Sequence, residues 1–426
     1  MTIETSGNIL SQRAAWSAGQ PISELMARAL AAPNLISLAA GFVDQHTLPT
    51  EATRQAADAI LRDTIDAQAA LQYGTTHGYP RLREAIRDRH LQADGGIDSQ
   101  PPIDLQQIVV TAGSNQLLHL VSESLLDPGD IVLCASPTYF VYLGTLQNLG
   151  ARAIGVATDA SGIVPESLES ALVRLESEGL LPRVKAIYVV TYYDNPCGLT
   201  VPADRRQQIV DIARRFSKEA TIHVIADDAY RELRYAGEDI PSLRAFDPTG
   251  EFVVQTGTFS KCYSPGIRVG WGILPQVLIE PVHNLKGNLD FGSPNFAQHL
   301  MKQVLCDGLL EPHIETLRKG YEPKLTAMLD ACQQYLGPIP GVHWISPQGG
   351  LYVWLTLPPD VDAGPQGELF DLALEEGMLY VPGQFCFPAE GEVVQRNTIR
   401  LSFGVQPAER IREGIEKLAN ALRRVI

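Results

Sequence analysis

Positive charge is scarce in this chain: 34 lysines and arginines stand against 49 aspartates and glutamates over 426 residues, a formal net charge of -15. Nucleic acids and anionic membrane surfaces recruit an excess of Lys and Arg, so neither is expected as the main partner. Cysteine is also sparse. The six (Cys134, Cys197, Cys262, Cys306, Cys332 and Cys386) form no CxxC pair, which suits free thiols in a reducing compartment rather than a disulfide framework. No window approaches the roughly 18 apolar residues of a membrane span, and the N-terminal MTIETSGNILSQRAAWSAGQ lacks a basic start followed by an apolar run. No repeat and no low-complexity tract is visible. These absences leave small molecules or other proteins as partners, and a cytoplasmic enzyme as the expectation.

What is present is material for a large folded core: 45% hydrophobic residues, with 36 Gly and 29 Pro to punctuate the elements. Short β-rich runs alternate with amphipathic segments: QIVVT (107–111), IVLCA (131–135), VKAIYVV (184–190), IHVIA (222–226), EFVVQT (251–256) and RVGWGIL (268–274). That alternation predicts an α/β fold, a mainly parallel sheet covered by helices on both faces. Helical patterns near 297–336 follow, then WISPQGGLYVWLTLP (344–358) and NTIRLSF (397–403), which read as strands of a smaller α+β unit. The expected division is an N-terminal segment, 1–59, packing with the small domain, a large domain, 60–305, and a small C-terminal domain, 306–426. PPDVDAGPQGE (358–368) reads as a loop.

Within TFSKCYSPGIRVG (258–270) a lone lysine, Lys261, follows the end of a strand, at the carboxyl edge where open α/β sheets bind ligands. Desolvated, or held near a cation such as Arg268, it would lose proton affinity and could attack an aldehyde to form a Schiff base. Thr258, Ser260 and Arg268 would be phosphate ligands around it, although a solvated loop lysine has the same letters. In IHVIADDAYREL, Asp227 ends another strand and could pair with a protonated pyridine nitrogen while Tyr230 bonds a ring oxygen; turn or helix-cap duty is the alternative. In VVTYYDNPCGLT, the Asn195 amide could donate to that oxygen or to a substrate carboxylate, or Asn195-Pro196 could be a turn alone. VVTAGSNQLLHLVSESLL reads strand, turn, helix, and a helix N-terminus binds phosphate well. Gly113, Ser114 and Asn115 would cradle it, unless Ser114 is a plain helix cap. Tyr139, in SPTYFVY, could stack on a flat cofactor or sit in the core.

Taken in order, NLISLAAGFVDQHTLP (34–49), LQYGTTHGYPRLREAI (71–86), TAGSNQ, DNPCGLT, DDAYREL, GTFSKCYSPGIRVGW, PQGGLYVWLTLP and NTIRLSFG make nearly the whole chain resemble one family. It is similar to the fold-type I, pyridoxal-phosphate-dependent class I and II aminotransferases, most of all to the branch with 2-aminoadipate and kynurenine or aromatic aminotransferases. The resemblance implies a seven-stranded, mainly parallel sheet and pyridoxal 5'-phosphate as cofactor. Lys261 would form the Schiff base and later shuttle the proton, Asp227 would pair with the pyridinium nitrogen, and Tyr230 and Asn195 would bond the ring hydroxyl. Tyr139 would stack on the ring. Ser114, Asn115, Thr258 and Arg268 would hold the phosphate, joined by Tyr73 from a neighbouring subunit in a homodimer. Arg400 would clamp the substrate α-carboxylate, with Gly41 giving the backbone close approach to it.

The implied reaction moves an amino group from an amino acid to a 2-oxo acid through a pyridoxamine phosphate form. A lyase, decarboxylase or cyclase using the same residues is the alternative. Ser23 stands where the aminoadipate branch often has an arginine for a distal carboxylate, so uncharged donors, aromatic or aliphatic, are expected. Asn115 and Cys197 replace the more frequent Gln and Thr. No DNA-binding domain is expected ahead of the pattern.

Overall fold

The computed structural model describes residues 10–17, 19, 34–96 and 101–426. Among the described residues the first strand is the short β1 (Ile36–Ser37). The central sheet comes from β2 (Ile108–Thr111), β3 (Ile131–Ser136), β4 (Arg152–Asp159), β5 (Gly162–Ile163), β6 (Val184–Val190), β7 (His223–Asp227), β8 (Val253–Thr258) and β9 (Gly270–Ile273). Their spatial order is β2-β9-β8-β7-β6-β3-β4-β5. The run β8-β7-β6-β3-β4 is parallel, while β9 runs against both of its neighbours. Every residue of β2 and β7 is buried, as strands covered on both faces require. The eighth strand, beyond the seven expected, is the two-residue β5, which folds back on the edge of β4.

The second sheet is antiparallel, ordered β10-β11-β14-β13, from β10 (His343–Trp344), β11 (Tyr352–Thr356), β13 (Val381–Pro382) and β14 (Thr398–Ser402). β12 (Met378–Leu379) pairs in parallel with β1, and Ser402 N donates to Leu38 O at 2.7 Å. The segment after β1 is thereby drawn along the small sheet. Five helices matter below: α1 (Ser114–Leu125), α2 (Phe140–Asn148), α3 (Gln276–Asp290), α4 (Leu310–Ala331) and α5 (Ala408–Val425). The last two pack together with buried Leu317, Met328, Ile411 and Leu418 in the apolar core that continues under the small sheet. The helical pattern near 297–336 breaks at Gly308, with φ +66°, between Asn295–Cys306 and α4, where glycine tolerates the left-handed conformation.

Among the described residues no helix is long and apolar enough to cross a membrane.

Candidate functional site

The carboxyl ends of β2, β6, β7 and β8 converge on a cavity of about 150 Å³ whose wall includes Ser114, Asn115, Tyr139, Asn195, Asp227, Tyr230, Thr258, Ser260, Lys261 and Arg268. Each arrives by the same route: a buried apolar strand fixes direction and depth, and the residues just past its end carry the polar groups. This is where ligands collect in open α/β sheets.

One wall is an anion cup. After β2, Gly113 has φ +82° and occupies the cap position of α1, a conformation glycine adopts without penalty. A side chain there would run into the Arg268 guanidinium. Ser114 is the first helical residue, not the cap, and no side chain caps this N-terminus or places an acid in its first turn. Its N–H groups and dipole remain available to an anion. Across the cup, Arg268 sits at φ +51°. Its Nη2 donates to Ala112 O at 3.2 Å and its Nη1 to Ser260 Oγ at 3.3 Å. Thr258 Oγ1 in turn donates to Ser260 Oγ at 2.9 Å.

The opposite wall is anionic. Asp227, 3% exposed, ends β7, and burial pushes its carboxyl up to about 6, against the lowering effect of hydrogen bonds from Tyr188 and the Ala229 amide. Tyr188 OH donates to Oδ2 at 3.0 Å and Ala229 N to Oδ1 at 3.2 Å. Tyr139 OH donates to Asn115 Oδ1 at 3.4 Å. Tyr230 is buried with its hydroxyl 3.2 Å from that of Tyr352, and burial drives its phenol well above the ordinary range.

Lys261 Nζ donates to Gly41 O at 3.0 Å and, among the described residues, pairs with no carboxylate. Its pKa is lowered, chiefly by burial and further by the charges of Arg400 and Arg268, with Tyr352 opposing. A desolvated amine near two guanidiniums is set up as a nucleophile.

The small sheet supplies the last charge. Arg400, 1% exposed on β14, sits with its guanidinium 4.5 Å from the Tyr352 ring centre and 5.3 Å from that of Phe140. Nη1 donates to Asn195 Oδ1 at 2.9 Å and Nη2 to Ala39 O at 2.7 Å. Among the described residues its Nε is buried without a partner. Gly41 lies beside it, and a Cβ there would come 2.6 Å from Tyr352 OH. One N–H of a buried guanidinium is thus left without an acceptor among the described residues, a group suited to a carboxylate.

Tyr73 does not reach this cavity in its own chain. It is 83% exposed and packs edge-on to Phe291 at 5.9 Å. Ser23 lies outside the described residues. Sequence reasoning missed Tyr352 and Tyr188, each inside an apolar strand where a tyrosine looks like ordinary core. The stretch after Asp227, 229–232, forms turns.

The family model for aminotransferase class I and II matches residues 33–418. The chain is 33% identical to an aromatic-amino-acid aminotransferase 1 of Thermococcus litoralis over 97% of its own length and 94% of the relative's. Among solved structures it matches a Pyrococcus horikoshii kynurenine aminotransferase, in complex with PMP, at TM-score 0.89 and 33% identity, covering 98% of each chain. It also matches LysN, an alpha-aminoadipate aminotransferase of Thermus thermophilus complexed with N-(5'-phosphopyridoxyl)-L-leucine, at TM-score 0.83 and 30% identity, covering 98% of this chain and 97% of that one.

Proposed function

The chain belongs to the class I and II aminotransferases, fold-type I enzymes that use pyridoxal 5'-phosphate to move an amino group from an amino acid to a 2-oxo acid, and on that premise we propose which residues do what and which donors are taken. The observation that carries the assignment is a desolvated amine, Lys261, bonded among the described residues only to a carbonyl, on the same small cavity as the buried carboxylate of Asp227. The cavity also fits the cofactor chemically: glycine backbone and an uncapped helix end suit a phosphate, and a carboxylate under-satisfied in the interior suits a ring N–H⁺.

In this reading Ser114, Asn115, Thr258, Ser260 and Arg268 hold the phosphate over the turn at Gly113. Asp227 accepts from the ring nitrogen and keeps it protonated. Tyr139 lies against the ring, and Tyr230 and Asn195 bond its oxygen. When bound, the cofactor supplies an aldehyde carbon for the substrate amine and an electron-withdrawing ring. Lys261 would hold that carbon, and its amine, once free, would take the proton from the substrate Cα. Arg400 grips the α-carboxylate through the edge bearing its free Nε, beside Gly41.

Tyr73, exposed in its own chain, reaches the phosphate of a second copy, so the working unit is a homodimer. The domain limits 1–59, 60–305 and 306–426 and a cytoplasmic location belong to the same proposal.

For the donor we propose uncharged, aromatic or aliphatic amino acids. The rings of Tyr352 and Phe140 flank the carboxylate-binding arginine. Both cations on the cavity wall, Lys261 and Arg268, already have assigned work. The test is a half-reaction: each donor alone should convert the cofactor's absorbance to the pyridoxamine form, and a 2-oxo acid should restore it. Phenylalanine and leucine should act with higher kcat/KM than glutamate and aminoadipate. A preference for aminoadipate would overturn the donor class, and a spectrum that no 2-oxo acid restores would favour lyase or decarboxylase chemistry.

A further inference from the structure

Behind the anion cup lies an ion pair that the proposed chemistry does not use, its ammonium fully buried and its carboxylate 24% exposed. Lys286, on α3, is 0% exposed. Its ammonium donates to Asp290 Oδ2 at 2.7 Å and Oδ1 at 3.0 Å, to Ser293 Oγ at 2.9 Å and, more weakly, to Gln116 Oε1 at 3.4 Å. Burying such a pair is expensive, and apolar side chains of similar volume commonly do as well or better for stability. Stability alone therefore gives a weak reason for a charged pair on a helix that elsewhere buries Leu278 and Val282.

The partners of the pair lead to one place. Gln116 Nε2 donates to Asp290 Oδ2 at 2.7 Å, and its Oε1 accepts from the Ala112 amide at 2.7 Å. Ser293 Oγ donates to Val110 O at 3.1 Å. Val110 is in β2, and Ala112 immediately precedes the cap glycine of α1. On the other side of the same residue, Ala112 O accepts from Arg268. The backbone entering the cup is thus held from behind by a network ending in Lys286 and from the front by Arg268.

We propose that Lys286, acting with Asp290 through Gln116, is a positioning residue for the phosphate cup. It fixes the Val110–Ala112 backbone so that the N–H groups after Gly113 converge on a phosphate monoester. Lys286 touches no ligand in this scheme. Because its charge is balanced by Asp290, it works by geometry rather than by adding field at the anion. The inference rests on the reading that the cup takes the cofactor's phosphate.

The test compares two ligands on the full-length apoenzyme: pyridoxal 5'-phosphate and pyridoxal, which has the same ring and aldehyde but no phosphate. In Lys286→Met and in Gln116→Leu, Kd for the phosphate ester should rise about tenfold, while Kd for pyridoxal should change by less than about twofold. Equal losses for both ligands, or none for either, would overturn the proposal, since a general loosening of the fold does not discriminate between them. Gln116→Leu leaves the ion pair in place and decides the question if Lys286→Met does not fold. A wild-type protein with no preference for the phosphate ester would instead remove the cup reading itself.

Discussion

Asp227 and Asp228 are neighbours at the end of β7 and both are buried, yet they face different surroundings. Asp227 meets the cavity, with one phenol and one amide as donors. Asp228 turns to the rear, where it accepts from the Thr191 hydroxyl. Burial raises its carboxyl to about 7 against the opposing charges of Arg231 and Arg206. That rear cluster is close to saturated. Arg231 donates to Asp94 at 2.6 Å, to Asp239 at 3.3 Å and to the carbonyls of Ala93 and Ile240, while Asp94 also accepts from the Ser242 amide at 2.8 Å.

The front cluster has comparable charge and, among the described residues, leaves gaps: one carbonyl for Lys261 and no acceptor for Arg400 Nε, although Nη1 and Nη2 are bonded. Both regions bear the desolvation cost of buried charge, and at the rear Arg231 and Asp94 offset it against each other. The front is left to recover it from a ligand.

The contrast breaks most sharply at Lys261. Lys261→Ala should lower turnover by at least about 10⁴-fold, the upper range for a single proton-transferring group. Borohydride should no longer fix the cofactor to the protein, and thermal stability should hold or rise. A reduced adduct mapping by peptide analysis to another lysine would refute the assignment.

Next come two matched carboxylate changes. Asp227→Asn should slow the reaction by about 10² to 10⁴-fold with the cofactor still bound, because a neutral amide does not hold the ring nitrogen protonated. Asp94→Ala should instead cost roughly 3–5 kcal/mol of stability by leaving Arg231 without its buried partner. Its folded fraction should keep near-normal kcat. Swapped outcomes would erase the distinction between front and rear.

Arg400→Lys is a smaller change. A point charge in place of a planar fork should lower kcat/KM for every donor together by about ten- to a hundredfold, or about 1.5–3 kcal/mol. A loss confined to one donor would place Arg400 at the side chain rather than the α-carboxylate.

The smallest effect is one of pH. Asp227 titrates near 6 in the apoprotein, above the ordinary carboxylate range, so the folded form binds more protons than the unfolded one between that range and 6. Apoprotein stability from this group is therefore greatest below the window and declines as pH rises through it. Cofactor binding wants the ionised form. Affinity should weaken as pH falls below about 6, by up to about tenfold per unit, and Asp227→Asn should remove that part of the dependence. A profile unchanged by the substitution would show that Asp227 does not pair with the cofactor.

The front was more legible in the sequence than the rear because its groups follow strand ends that hydrophobic runs announce. Lys261, Asp227, Asn195 and the Gly113 turn all stand one to five residues past such a run. Strand β4 was missed because RAIGVATD mixes alanine and glycine with few β-branched residues and has a half-exposed start. Tyr352 and Tyr188 alternate correctly for core strands, and nothing in one dimension marks which core tyrosine ends at a charged group. Asp94 and Arg231 are 137 positions apart, so their pairing depends on tertiary packing that no local pattern encodes. The proposed reach of Tyr73 would involve a second molecule.

Ala39 and Gly41 cast the apoprotein in an unexpected part. The carbonyl of Ala39 occupies Arg400, and that of Gly41 occupies Lys261, so one short extended segment serves as a built-in competitor for the two groups assigned to substrate and cofactor. Bonding at Lys261 is then an exchange for the Gly41 carbonyl, whereas Ala39 holds Arg400 by Nη2 and leaves the edge bearing Nε to a carboxylate.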